Sequence, residues 1–349
     1  MHGGGRRMRR YGAQMQVDPT PTSNVTRRQE GRPRVRLTNA MIDLGASALF
    51  PFAAPFLYVA SRRRWYLRGA RALQDRLGVT VIQHHYYEPV AGPPLPDADG
   101  ARRVPGIEWN LDAQREFLRQ IACPNEVAAL EGRSVGGRTF TYANPKFGAG
   151  DVEALYAMVR FLRPRTIVEV GAGVSTVIVR LALADLSAEQ PGYAPRHVCF
   201  EPFENAWLES TGAEVKRQRI EEAGMEVFDL LGENDILFID SSHVLRCGGD
   251  VEALFRHFLP RLRAGVYVHF HDVFTPRDYP ARWLHADRRL WTEQYMLEAF
   301  LAFNEDFEVV LAVNDLHRRA EPEVRAAFPM LARAPHAEPG SFWIRRKAR

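Results

Sequence analysis

Two short segments hold most of the side chains in this sequence that could do chemistry: D-S-S-H at 240–243 and H-F-H-D at 269–272. Asp240, His243, His271 and Asp272 offer two carboxylates and two imidazoles. Mixed nitrogen and oxygen donors of this kind suit Fe(II), Mn(II) or Zn(II) and, less well, Mg(II). An imidazole also titrates near neutral pH, which suits His243 or His271 to general-base work beside Asp240. Three readings stay open: a metal cluster, an acid–base network without metal, and a polar network that only holds structure. His269 lies inside an apolar run and reads as a packing residue.

A second constellation is E-V-G-A-G-V-S-T at 169–176. It follows a short apolar run and opens a helical pattern. Gly171 and Gly173 permit a tight turn and close approach of backbone to a ligand. The free N–H groups at the helix start, around Ser175, favour a negatively charged group. Thr176 breaks the G-x-G-x-x-G pattern, and no G-K-[ST] follows. Glu201, about 30 residues further on at the end of the next apolar run, can accept both hydroxyls of a ribose. A glycine turn needed only for packing is the competing account.

These residues need a scaffold that brings them together. T-I-V-E-V at 166–170, H-V-C-F-E at 197–201, V-K-R-Q at 215–218, D-I-L-F-I-D at 235–240 and G-V-Y-V-H-F at 265–270 read as strands. F-E-V-V-L-A-V at 307–313 and S-F-W-I-R-R at 341–346 complete them. Helical patterns alternate with them, including one from Asp151, read as its cap, and one over 291–303. Short continuous apolar strands alternating with helices predict a mostly parallel sheet covered on both faces. The last two strands predict an antiparallel pair. Glu201, Asp240 and Asp272 then stand with the glycine loop at the carboxyl ends of strands, where such sheets bind ligands.

The N-terminal third is different. Residues 1–36 hold nine Arg against Asp18 and Glu30, so this stretch carries +7 and the remainder −3 of the net +4. It reads as a disordered basic tail. No zinc-finger spacing or recognition-helix pattern accompanies it, and no nucleic-acid partner is expected. Met41–Ala60 is apolar and about one bilayer span long, but Asp43, Pro51 and Pro55 argue for a buried helical hairpin or a surface-seeking segment with weak peripheral membrane contact over a true span. V-T-V-I-Q at 79–83 reads as a short strand leading into H-H-Y-Y-E-P-V. Cys123, Cys199 and Cys247 stand far apart, which suits a reducing compartment and a cytoplasmic location.

Several of these motifs carry a resemblance. N-P-K-F-G at 144–148, I-V-E-V-G-A-G-V-S-T, F-E-P, D-I-L-F-I-D-S-S-H, H-F-H-D-V-F-T-P-R-D-Y-P and W-T-E-Q-Y at 291–295 resemble the class I S-adenosylmethionine-dependent methyltransferases. With H-Y-Y-E-P before them, residues 78–346 are most similar to the bacterial methyltransferase family 24. The resemblance implies a Rossmann-like α/β fold: a mostly parallel seven-stranded sheet, an antiparallel last strand, and helices on both faces. It implies S-adenosylmethionine as cofactor. Glu169 would face the methionine amino group, Gly171 and Gly173 would pass beneath the cofactor, Glu201 would hold the ribose, and Asp229 would lie by the adenine. In catechol-type relatives, acids at positions matched by Asp240, His271 and Asp272 hold Mg(II); a histidine at 271 favours a softer metal or none.

The acceptor pocket is expected from His84, His85 and Tyr86 on one side, and from Tyr279, Arg282, Trp291, Gln294 and Tyr295 on the other. The expected reaction is methyl transfer to a hydroxyl of a small molecule, a sugar or a natural product. An Fe(II)-dependent oxidation or decarboxylation on the same fold, and a non-catalytic nucleoside-binding protein, are the alternatives. The organisation expected is a tail at 1–36, a helical and lid region at 37–135, and a cofactor-binding catalytic domain at 136–349.

Overall fold

The computed structural model describes residues 33–62, 68–82, 89–90, 92, 100–203 and 205–348. It divides into two compact units, Met1–Gln83 and His84–Arg349. Helix Leu111–Ile121 is built into the second unit. Its buried Gln114 accepts a hydrogen bond from the backbone N–H of Ala312 at 2.8 Å, inside the main sheet.

In the first unit, Pro33–Arg62 is one continuous helix that runs through Pro51 and Pro55. This corrects the expected hairpin. Each proline removes one backbone donor and crowds the preceding turn, and here the helix continues past both. Residues 79–82 form no strand. The apolar pattern there is real, but no neighbouring strand among the described residues offers a ladder, and β propensity needs one.

The second unit is built on seven strands. These are β1 (Thr166–Val170), β2 (Arg196–Phe200), β3 (Glu214–Lys216), β4 (Ile236–Ile239), β5 (Tyr267–Phe270), β6 (Phe307–Ala312) and β7 (Phe342–Arg346). Their order is 3-2-1-4-5-7-6, and only β7 runs antiparallel to its neighbours. Alternate residues feed opposite faces, as the pleat requires. Ile167, Ile236 and Phe238 join helices α1 (Asp151–Leu162) and α2 (Val174–Glu189) in one core. Val168, Leu237 and Ile239 join Leu254, Phe258 and the residues Leu297 and Leu301 of α3 (Glu293–Leu301) in the other.

The register sets up the site. Phe200, Val170, Ile239, Phe270 and Phe342 lie side by side across five strands. The next residue of each parallel strand therefore emerges on one edge: Glu201, Gly171, Asp240 and His271. Ser341 emerges there too, because β7 runs the other way and begins where the others end.

Candidate active site

The glycine loop is shaped by one steric demand. Gly171 has φ +79°, and a Cβ there would sit 1.9 Å from the carbonyl oxygen of Asp240. Only glycine lets β1 and β4 pass so closely. Gly173 is different: the nearest atom to a Cβ would be Asn205 Nδ2 at 3.8 Å, so it leaves open space above the start of α2. Glu201 accepts the Ala172 N–H at 3.3 Å and the Phe203 N–H at 3.0 Å, and so stands against the loop.

Glu169 is wholly buried. Its carboxylate accepts from Ser175 Oγ at 2.5 Å and Thr176 Oγ1 at 2.8 Å, and it lies 3.1 Å from His197 Nε2 and 3.2 Å from Cys199 Sγ. It therefore ties β1 to the first turn of α2 from below and presents nothing to solvent. Ser175, also buried, acts through the same knot. Among the described residues, Glu169, His197 and Cys199 are the set whose ligand atoms all lie within 4.8 Å of one another. The donors read as a hydrogen-bond knot. Burial, then the charge of Glu169, pushes the Cys199 thiol well up, and both carboxylate oxygens already have hydroxyl donors. Asp229 is exposed on the short turn Met225–Leu230.

The four residues singled out after β4 and β5 do meet. His243 Nε2 lies 3.2 Å from Asp240 Oδ1 and 4.0 Å from Asp272 Oδ2. His271 Nδ1 lies 3.4 Å from Asp240 Oδ1 and 3.8 Å from Asp272 Oδ2, and has no hydrogen-bond partner among the described residues although it is buried. Each imidazole also has a carboxylate behind it. His243 Nδ1 is 2.8 Å from Glu293 Oε2, and His271 Nε2 is 3.6 Å from Asp151 Oδ2. Phe147 of N-P-K-F-G covers the His271 ring at 4.9 Å between centroids, and Trp291 covers His243 at 4.2 Å.

Asp151 and Glu293 are not legible in the sequence as site residues. The sequence predicts Asp151 as the cap of α1, but Gly150 occupies that position. The Asp151 carboxylate instead accepts from the N–H groups of Gly340 and Ser341, both at 2.8 Å, and reaches the site across the start of β7. Glu293 sits in the first turn of α3 and is completely buried. The only sequence signal for either is an acid inside an otherwise apolar helix face.

Electrostatics and backbone strain concentrate here. Burial alone would lower the pKa of His243, but hydrogen bonds to Asp240 and Glu293 outweigh it and raise it to about 10. His271 is raised well above its usual value: burial opposes this, and the charges of Asp272 and Asp240 prevail. For Asp240, burial is overcome by the charges of the two imidazoles and the hydrogen bond to His243, which hold its carboxyl far below the ordinary range. Burial raises Asp272 and Glu293, against the pull of their histidines. His243 (φ +59°) and Asp272 (φ +56°) both adopt the left-handed conformation, which side-chain-bearing residues rarely do. The His243 carbonyl is held by the N–H groups of Thr292 and Glu293 at 2.8 and 3.1 Å. Strain sustained in this way is characteristic of functional sites.

The expected acceptor residues divide. Trp291 is half-buried against His243 and stays next to the chemistry. Gln294 does not face a ligand: it is wholly buried, its Oε1 accepts the Phe274 N–H at 2.7 Å, and its Nε2 donates to the Arg277 carbonyl at 2.7 Å. Tyr279 is also buried, its hydroxyl taking the Gln294 N–H at 2.9 Å. Tyr295 donates to Asp278 at 3.1 Å beneath Arg102, and Arg282 is exposed near Asp287. Tyr279 stands edge-on to Trp291 at 5.9 Å between centroids, and Gln294 and Tyr295 turn away from the site because they lie in α3, where successive side chains take different faces. His269 packs between Phe238 and Trp343, as expected. His84, His85 and Tyr86 lie outside the described residues.

Residues 168–273 match methyltransferase family 24, described as a methyltransferase domain. No curated protein matches the chain. Among solved structures, it is similar to a putative O-methyltransferase from Klebsiella pneumoniae, at 13% identity, covering 68% of this chain and 90% of that one, TM-score 0.31. It is also similar to an O-methyltransferase from Bacillus cereus in complex with S-adenosylhomocysteine, at 19% identity, 57% and 82% coverage, TM-score 0.29. A third is the O-methyltransferase TomG from Streptomyces achromogenes, involved in tomaymycin synthesis and in complex with S-adenosylmethionine, at 16% identity, 69% and 97% coverage, TM-score 0.34. At these scores the likenesses add no argument to the one the sheet itself makes. Residues 168–273, from β1 to just past β5, thus carry a methyltransferase domain, and the sheet, with an antiparallel strand set between β5 and β6, has the Rossmann-like α/β fold of the class I S-adenosylmethionine-dependent methyltransferases.

Proposed function

We propose that this enzyme moves the methyl group of S-adenosylmethionine to a hydroxyl oxygen of a small molecule, a sugar or a natural product, with a divalent metal held by Asp240, His243, His271 and Asp272. One observation carries the reading. Both imidazoles turn one nitrogen to a supporting carboxylate, Glu293 or Asp151, and the other nitrogen to the same pair of acids. Metal-binding histidines are oriented in this way by outer carboxylates. Separations of 3.2 to 4.0 Å link each imidazole to both acids, and a cation would draw the four donors closer together, since no three of them lie mutually within 4.8 Å. The buried His271 Nδ1, unpartnered among the described residues, is the donor such a cation would satisfy. Without a cation the site favours imidazolium on both rings, and one divalent cation carries the charge of the two protons it displaces.

When bound, the metal would orient the acceptor hydroxyl and lower its pKa. The chain supplies the rest. Gly173 and the start of α2 would leave room for the cofactor, and Glu201, beside the loop, would accept the ribose hydroxyls. Trp291 and Phe147 exclude water around the two rings. In the transfer itself, an oxygen–carbon bond forms as the sulfur–carbon bond breaks, and the hydroxyl proton leaves to solvent or a neighbouring carboxylate. The reaction takes place in the cytoplasm.

Calorimetric titration with S-adenosylhomocysteine and separately with Mn(II), in two buffers of different ionisation enthalpy, tests this. The expected result is stoichiometric binding of each, with proton release on Mn(II) binding that Asp240→Asn abolishes. Absence of Mn(II) binding between pH 6 and 9 sinks the metal, and absence of S-adenosylhomocysteine binding sinks the whole reading.

A further inference from the structure

We propose that Met41–Val59 inserts into an anionic lipid bilayer and anchors the methyltransferase at the membrane. This stretch is the centre of the continuous helix Pro33–Arg62, has a mean hydropathy of 1.5 over its 19 residues, and is not buried at all within the protein. The apolar surface is large: Leu44 is 72% exposed, Leu49 69%, Phe50 62% and Phe52 83%. Leu49, Phe50, Leu44 and Phe52 fall at about 0°, 100°, 220° and 300° around a helix with a 100° step, so the helix is apolar on all sides. A surface-lying amphipathic helix would show one polar face. A helix apolar all round belongs in a protein interior or in hydrocarbon, and no interior formed by the described residues covers this one.

Length and charge identify the occupant as lipid. Nineteen residues at about 1.5 Å each give roughly 28 Å, close to the hydrocarbon thickness of about 30 Å. Arg34 and Arg36 precede the stretch, and Arg62, Arg63 and Arg64 follow it. Basic residues at both ends match anionic headgroups, each contributing attraction at the membrane surface. Asp43, the one acid inside, is the third residue from the start and lies at headgroup depth. Pro51 and Pro55 are tolerated by membrane helices far better than by helices in water. A second copy of the chain would need a matching seam of small residues or a heptad; the sequence holds neither over the full stretch.

The test is cell-free synthesis of the full chain with vesicles of phosphatidylcholine and phosphatidylglycerol, followed by flotation and alkaline carbonate extraction. The chain is expected to float and to resist carbonate. Recovery should fall roughly tenfold on vesicles of phosphatidylcholine alone. The double substitution Leu49→Asp with Phe52→Asp should cut flotation by about a hundredfold or more, because aspartate at mid-bilayer is strongly disfavoured. That variant should keep its affinity for S-adenosylhomocysteine, since the substitutions lie outside the catalytic unit. A wild-type chain that stays in the soluble fraction, a carbonate-released one, or a double variant that still floats overturns the proposal.

Discussion

The glycine loop and the acid–imidazole cluster sit on the same sheet edge, one residue past the same row of strand ends, yet they are held by different physics. The loop is a matter of backbone shape. Gly171 exists because a Cβ would strike the Asp240 carbonyl, and Glu169 works out of sight by bonding hydroxyls on α2. The cluster is a matter of charge. Its members tolerate burial and left-handed backbone because each imidazole lies between carboxylates. The two meet at Asp240: its backbone sets the glycine, and its side chain joins both histidines. A ligand gripped by the loop is thereby placed beside the cluster.

The largest effect that would sharpen this contrast is Gly171→Ala. The clash is with backbone rather than a flexible side chain, so a loss of about 3 kcal/mol or more in chemical denaturation is expected, with S-adenosylhomocysteine binding abolished. Wild-type stability in this variant would mean that β1 and β4 can part, and that the loop does not constrain the cluster.

Glu293→Ala removes one partner of a buried ion pair. It should cost about 3–5 kcal/mol and weaken Mn(II) binding roughly tenfold to a hundredfold, while leaving nucleoside affinity near wild type. Loss of nucleoside affinity with unchanged metal binding would invert the assignment of the two regions.

A pH effect separates them further. The folded-state pKa of His243, with no metal bound, is raised from 6.5 to about 10. Protonation therefore favours the folded state. This contribution is complete below pH 6.5 and is lost as pH rises through 10. Metal-free protein should lose stability between these limits, His243→Gln should flatten the decline, and Mn(II) should remove it by displacing the proton. A wild-type profile that stays flat in the absence of metal would refute the charged network. The smallest effect is expected at Asp229→Asn, an exposed turn position, with stability within about 0.5 kcal/mol of wild type. A measurable fall in S-adenosylhomocysteine affinity in this variant would place the adenine beside it.

Most of the stretch at 1–36, and all of His84, His85 and Tyr86, fall outside the described residues. Within the described chain, six of the seven strands were legible as short apolar runs bounded by turn residues; β3, Glu-Val-Lys, is a charged strand at the sheet edge. The site was legible where its residues closely follow such runs, at Gly171, Glu201, Asp240, His243, His271 and Asp272, and at Trp291 through its motif. Asp151 and Glu293 start helices, where an acid is ordinary, and nothing local separates a helix-dipole acid from a buried partner of histidine. Gln294 misleads for the related reason that a motif names residues without saying which way they point.

What the sequence determined by itself was the period and the punctuation: strands from continuous apolar runs, a turn from Gly171, a long apolar stretch from Met41 to Val59. Tertiary structure decided the pairings. Asp151 reaches His271 only because β7 enters the sheet backwards and brings Gly340 and Ser341 to the same edge. Glu293 reaches His243 because the start of α3 donates to the His243 carbonyl. Periodicity is written in neighbours along the chain, whereas a buried charge is defined by whichever groups the fold brings within a few ångströms of it.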